Sequence, residues 1–442
     1  MFKFSGEAQK AIDLILHSDE NIFVTGKAGT GKSTLLEHIK SIAGNKIVVL
    51  APTGISAVNV GGETIHSFFT LKPGFEKEES KRMTLNKYKQ KKLRELTTIA
   101  IDEISMVRAD LLDAVDTILQ RARGIKKPFG GVQMIFFGDM YQLPPVLTSA
   151  DKEMFFSEYK SPYFFEAAAF HAQQDIFSSE FKLKVIELTD IYRQRDKKFI
   201  TLLNAVRDNT ITTAQLEQLN TRVKPNFIPR ESDKYIHLMT TNASANAINE
   251  EKIRKLSTKE YVFLAEKDGN VARNLYPNDE AISIRVGAQV MFICNDPERR
   301  WVNGTIGKVV DIKEMTDEVT GGVELVVKVQ KRDGIVVCVK RYMWEISKYV
   351  FVGGEFQRQK LGTFTQMPIK LAWAITIHKS QGKTFDNVIV DLGRGSFAHG
   401  QTYVALSRCS SFEGLILKKP LTKAHIIMDP IIHSFASQSL SS

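Results

Sequence analysis

Two short stretches carry the residue types and spacings best suited to chemistry. In GKAGTGKST, at 26–34, Gly26, Gly31, Lys32 and Ser33 satisfy G-x-x-x-x-G-K-[ST] between an apolar run and a helical pattern. Such glycines let backbone N–H groups turn inward around phosphates, and the helix start adds positive potential. Gly29 and Thr30 complete the loop, and Thr34 follows in the helix. Lys32 is expected to reach the β- and γ-phosphates and Ser33 to ligate Mg²⁺. The second stretch, TTIAIDEIS at 97–105, ends an apolar run on Asp102 and Glu103. The carboxyl ends of parallel strands face the ligand. Asp102 is therefore expected to hold the metal, and Glu103 to orient and deprotonate the attacking water. Both stretches point to nucleoside triphosphate hydrolysis and leave open what it drives.

Three further stretches bear on that question. GDMYQLPPV, at 138–146, offers Gln142 as a contact to the γ-phosphate. APTGISAVNVGGETIHSFF, at 51–69, mixes Thr53, Asn59, Thr64 and His66 with Phe68 and Phe69. Small polar groups with aromatics suit a phosphodiester backbone and stacked bases. The same residues also suit a core pair of phenylalanines with His66 capping a turn. AITIHKSQGKTFD, at 374–386, resembles a second phosphate loop, but its first glycine would fall at Ile377, so the spacing fails. What remains is a strand end with Thr376, His378, Lys379 and Ser380, then a turn at Gln381 and Gly382 expected to lead into a helix.

The elements that must position these residues follow from the pattern. Apolar runs at 22–25, 46–52, 97–103 and 132–139 alternate with helical stretches, one near 108–122, as in a parallel sheet covered on both faces. A polar stretch at 72–96 interrupts this unit, and seven of the fourteen residues in 81–94 are Lys or Arg. A second α/β unit is expected from about 180, with runs at 184–194 and 235–253, and strand–helix–strand alternation returns at 371–393. Between them, 283–362 reads as short antiparallel strands of a small barrel.

Composition bounds the rest. With 442 residues, 43% apolar and 25% charged, the chain suits two to four ordinary globular domains. A net charge of +10 favours a polyanionic partner. Cys294, Cys338 and Cys409 form no C-x-x-C pair and suggest a reducing compartment. No apolar run approaches the ~18–20 residues needed to span a bilayer.

Taken in order, GKAGTGKS, APTGISA, IDEIS, GDMYQLPPV, IYRQ, HKSQGKTFDNV and YVALSRC resemble the helicases of superfamily 1, in its 5′-to-3′ RecD-like branch (1B). FEAAAF followed by ELTDIYRQRDKKFITLLNAVRDN is similar to the PIF-type (petite integration frequency) DNA helicases. The resemblance runs from Gln9 to Arg408. It implies an α/β fold of two RecA-like P-loop NTPase domains with a small inserted wedge subdomain and an inserted SH3-like β-barrel. The first domain (1A) would span 1–178, with the basic wedge (1B) at about 71–96. The second (2A) would span 179–282 and 363–442, with the barrel (2B) at 283–362. Gln9 would read adenine; Arg193 and Arg408 would be arginine fingers; Gln381 and Gly382 would face ATP. Thr376, His378 and Lys379 would contact DNA, as would Thr53, Asn59, Thr64, His66 and Phe68.

The implied activity is ATP- and Mg²⁺-dependent 5′-to-3′ translocation on single-stranded DNA, with unwinding at single/double-strand junctions by a monomeric motor. ATP would draw the two α/β domains together and hydrolysis would release them. The family connection extends to DNA repair, recombination and telomere maintenance, and to G-quadruplexes and DNA–RNA hybrids as further substrates. An intracellular place is implied: the nucleoid if bacterial, with nucleus or mitochondrion open. An RNA helicase, a translocase that does not unwind, and a P-loop regulatory ATPase without nucleic acid remain as alternatives.

Overall fold

The computed structural model describes residues 4, 6–71, 80–148, 151–171, 181–194, 196–269, 271–316, 323–353, 355–393 and 395–440. The chain divides into two compact units. Unit 1 comprises Met1–Tyr192, Ser347–Leu361 and Asp429–Ser442; unit 2 comprises Arg193–Ile346 and Gly362–Met428.

Unit 1 is built on six parallel strands: β1 (Asn21–Gly26), β2 (Ile47–Ala51), β3 (Glu63–Thr64), β4 (Thr98–Ile101), β5 (Gln133–Phe137) and β6 (Leu183–Leu188). Their spatial order is β3-β2-β4-β5-β1-β6. Alternate residues feed opposite faces. Ile22, Val24, Ile135 and Phe137 join one apolar cluster, and Phe23, Met134 and Phe136 another. Burying each such side chain contributes about 1.5–3 kcal/mol, which explains why these strands read as continuous apolar runs. Helices Gly6–His17, Lys32–Ala43 and Ala109–Arg123 cover the sheet. The basic stretch forms a helix at Lys87–Arg94, capped by Asn86; residues 72–79 of the expected wedge lie outside the described residues.

Unit 2 holds a four-stranded parallel sheet, Ala374–Thr376, Ile236–Met239, Val388–Asp391 and Leu415–Leu417 in spatial order. An antiparallel sheet of five strands runs through Val336–Val339, Val323–Lys331, Ile306–Thr316, Gln289–Phe292 and Ile369–Leu371. Two smaller antiparallel sheets accompany it, and their strands begin at Glu260. Among the described residues no helix is long and apolar enough to cross a membrane.

Four expectations need correction. The run at 184–194 does not open the second α/β unit: Leu183–Leu188 pairs with β1 along its whole length, so the first unit extends to Tyr192 rather than 178. The tail is not part of the second domain either. Its helix Pro430–Leu440 lays Phe435 on Phe165, with ring centroids 4.2 Å apart, inside the unit 1 core. The antiparallel region exceeds 283–362 at both ends, while its outermost hairpin, Ser347–Leu361, packs with unit 1. There Tyr349 N–H donates to Glu63 at 2.8 Å and Lys92 donates to the Tyr349 carbonyl at 2.6 Å. Finally, no helix follows Gly382. A single 3₁₀ turn, His378–Ser380, gives way to extended chain, because Gly382 takes a φ of 76° and Phe385 bridges to Cys409.

Candidate functional site

The phosphate loop leaves β1 through glycines that only glycine can supply. Gly29 and Gly31 have φ of 87° and 85°, and a Cβ on Gly26 would lie 2.6 Å from the Leu188 carbonyl. Thr30 is buried and its hydroxyl donates to the Lys27 carbonyl at 3.0 Å, fixing the turn. Lys32 Nζ donates to the carbonyls of Gly26 and Lys27 at 2.6 and 3.1 Å, curling back over the loop. Ser33 and Thr34 are exposed in the first turn of Lys32–Ala43. Gln9 is exposed on the first helix and donates to Asp13 at 3.0 Å.

At the end of β4, Asp102 is 7% exposed. Burial, then the neighbouring Glu103 charge, holds its carboxyl above the usual carboxylate range, while the Lys32 charge opposes this. Hydroxyl and carboxylate oxygens are hard donors, so Ser33 with Asp102 fits Mg²⁺, whose charge would offset the desolvation of Asp102. Glu103 is half-buried and takes a left-handed φ of 51°, a conformation costing about 1–3 kcal/mol in a non-glycine residue and typical of active sites. Beyond β5, Gln142 is buried and its amide donates to Asp139 at 3.2 Å.

Two residues that the sequence reading did not single out complete this picture. Tyr192 N–H donates to the Gly29 carbonyl at 2.9 Å, and its half-exposed ring lies 3.7 Å from where a Cβ of Gly31 would stand. Tyr192 stands in IYRQ next to Arg193, and nothing in its local sequence links it to the distant phosphate loop. In unit 2, the buried Gln194 donates to the carbonyls of Ser407 and Cys409 at 3.0 and 3.2 Å, tying IYRQ to YVALSRC.

The two arginines expected as fingers converge on one segment of unit 2. Arg193 donates to the Gly382 carbonyl at 3.3 Å. Arg408 is fully buried and donates to the carbonyls of Val404, Ser380 and Lys383 and to the Ser407 hydroxyl. Gln381 is half-buried and Gly382 exposed beside them.

The expected DNA contacts divide. Asn59 and Lys379 are exposed, and His66 and His378 half-buried, with burial lowering the His378 pKa. Thr53 and Thr64 accept from the N–H groups of Ser56 and Ser67 as helix caps. Thr376 is buried and accepts from Lys379 N–H at 3.3 Å. Phe68 is no stacking platform: it is 3% exposed, in the unit 1 core, with Lys92 Nζ 3.9 Å from its ring centroid. An exposed aromatic on unit 2 is Phe397, 64% exposed in the loop after strand Val388–Asp391. That loop leaves the same carboxyl edge of the sheet as Thr376. A lone Phe in RGSFAHG carries no pattern that would have marked it.

A family model described as PIF1-like helicase matches residues 4–217. The chain is 34% identical over 444 residues to the ATP-dependent DNA helicase Pif1 of Bdellovibrio bacteriovorus, covering 99% of this chain and 92% of that protein. The zebrafish (Danio rerio) ATP-dependent DNA helicase PIF1 is 33% identical, over 99% of this chain and 67% of its own length. Among solved structures, Bacteroides sp Pif1 in complex with ADP-AlF4 superposes with a TM-score of 0.89 at 34% identity, covering 100% of this chain and 98% of that one. Bacteroides Pif1 bound to ssDNA gives a TM-score of 0.69 at 34% identity, with the same coverage.

Proposed function

The chain belongs to the PIF1-like helicase family and has its RecA-like helicase fold, and from that premise we propose that it is an ATP-dependent DNA helicase moving 5′-to-3′ on single-stranded DNA. The observation that carries this is the approach of Lys32, in the loop after β1, to Asp102, which stands with Glu103 at the end of β4, one strand removed from β1 in the same parallel sheet.

Each residue then has a task. Lys32 exchanges the carbonyls of Gly26 and Lys27 for β- and γ-phosphate oxygens, with loop N–H groups facing the same charge. Tyr192 stacks on the purine, and Gln9 reads its edge. Ser33 and Asp102 would hold Mg²⁺, which when bound neutralises charge on the β- and γ-phosphates. Glu103 accepts the proton of the attacking water at its carboxylate. Asp139 engages the amide N–H of Gln142, leaving the Gln142 Oε1 to orient that water. Arg193 and Arg408 stabilise charge on the transferring phosphoryl group.

Because both arginines bond residues 380–383, their engagement pulls on the segment that begins at Thr376 and His378. Phosphate contact is thereby coupled to the nucleic-acid edge, where Thr376, His378, Lys379 and the exposed ring of Phe397 take backbone and bases. Unit 1 contributes Thr53, Asn59, Thr64 and His66. The basic helix Lys87–Arg94 is assigned to the wedge that meets the duplex junction. The antiparallel strands of unit 2 are assigned to an SH3-like barrel that helps fix polarity. Single-stranded DNA and its junctions are the partners of a monomeric motor.

ATP-dependent opening of a tailed DNA duplex, abolished in Lys32→Ala, tests this reading. Wild-type unwinding by Lys32→Ala, or unwinding without ATP, rejects it.

A further inference from the structure

A second concentration of positive charge lies in unit 2, reaching the segment that Arg193 and Arg408 hold. A cavity of about 680 Å³ opens between two loops of the antiparallel region, 299–306 and 331–333, and the segment 382–387 with Lys234. Lys234 precedes strand Ile236–Met239 and Asn387 precedes Val388–Asp391, so the cavity is at the amino edge of that sheet. Thr376 and Phe397 belong to the opposite, carboxyl edge.

Its wall carries Lys234, Arg299, Arg300, Lys331, Arg332 and Lys383 against two acids, Asp333 and Asp386. Both acids are already engaged: Asp333 with Lys331 at 3.0 Å and Asp386 with Arg332 at 2.9 Å. Arg300 pairs with Asp296 at 2.7 Å, outside the wall. Lys234, Arg299 and Lys383 have no ion pair among the described residues. Lys234 is spent on the Gln330 carbonyl at 3.0 Å and Lys383 on Asn303 Oδ1 at 2.7 Å. Gly304 lets the loop lie against the Lys383 stem, 3.6 Å from where its Cβ would stand. The wall also includes Trp301, 5% exposed, whose indole N–H has no acceptor among the described residues. Burial and the nearby Lys370 charge press the Lys383 pKa down to about 8, a cost that an incoming anion would reverse. A cleft lined by one sign of charge concentrates the opposite ion.

We propose that this cavity is a second anion site, binding a phosphate group carried either by a free nucleotide or by a nucleic-acid strand. It goes beyond the helicase reading and does not depend on it. Its position has a consequence: the segment it would grip, 382–387, includes the Gly382 and Lys383 carbonyls that Arg193 and Arg408 hold.

The test uses the full chain carrying Lys32→Ala, so that the phosphate loop is disabled, and titrates it with pyrophosphate by calorimetry. One site per chain is expected, weakened about tenfold or more when Lys234→Met and Lys383→Met are added, as loss of charge-assisted contacts demands. Should that variant fail to melt cooperatively, Arg299→Gln on the exposed rim serves, with roughly threefold weakening expected. Competition by a short oligothymidylate identifies the strand as the source; competition by ATP alone identifies the free nucleotide. Absence of binding, affinity unchanged by the substitutions, or competition by neither overturns the proposal.

Discussion

Arg408 holds the carbonyl of Lys383 at 3.3 Å from inside the unit 2 core. The carbonyls of Ser380 and Gly382, beside it, are taken by Arg408 and Arg193. Residues 380–383 are thus one element on which both guanidinium groups rest. A planar fork with fixed donors suits this arrangement, and an ammonium does not.

The two arginines therefore differ in what their loss does. Arg193→Ala is expected to lower DNA-stimulated kcat by roughly 10³-fold with an unchanged melting temperature. Arg408→Lys is expected to lower kcat similarly and also to cost about 2–4 kcal/mol of stability, since buried carbonyls lose their donors. Hydrolysis rates and urea unfolding of both variants check this; equal stability losses would contradict it.

Tyr192 beside Gly31 predicts a binding effect rather than a chemical one. Tyr192→Ala should raise the KM for ATP about tenfold with kcat little changed, and Tyr192→Phe should behave as wild type, because the ring face does the stacking. Steady-state ATPase assays decide it.

Phe397, rather than Phe68, should carry the stacking. Phe397→Ala is expected to weaken single-stranded DNA binding about tenfold at unchanged stability. Phe68→Ala is expected to cost about 3–5 kcal/mol through a core cavity. Fluorescence anisotropy paired with urea unfolding separates them.

Lys92 gives a pH dependence of stability. Burial lowers its pKa from 10.5 to about 8, with Lys348 and Lys89 adding to this against the opposing Glu63 charge; Lys40 is lowered to about 8 as well. Between pH 8 and 10 the unfolded chain therefore binds more protons than the folded one, and stability rises with pH. The urea midpoint should climb across that window, less steeply in Lys92→Met. A midpoint that falls instead would reverse the assignment.

The phosphate loop, Asp102 with Glu103, and the alternation of β1, β2, β4 and β5 were legible because each is local: spacing, strand end and apolar run lie within a few residues. What was not legible is non-local. The pairing of Leu183–Leu188 with β1 and the stacking of Phe435 on Phe165 join segments far apart in sequence. No pattern announces that Tyr349, within strand Tyr342–Val352, seeks Glu63 and Lys92. Phe68 and Phe397 show the same limit at the site. Residue type gives stacking capacity, but only packing shows which ring is free to use it.

The central claim is a motor that opens duplex DNA from a 5′ tail. The direct measurement is ATP-dependent unwinding of matched duplexes bearing a 5′ or a 3′ single-stranded tail, in DNA and in RNA. The account predicts strand separation on the 5′-tailed DNA, little on the 3′-tailed DNA or on RNA, and none with Glu103→Gln. Unwinding from the 3′ tail, or a preference for RNA, would contradict it.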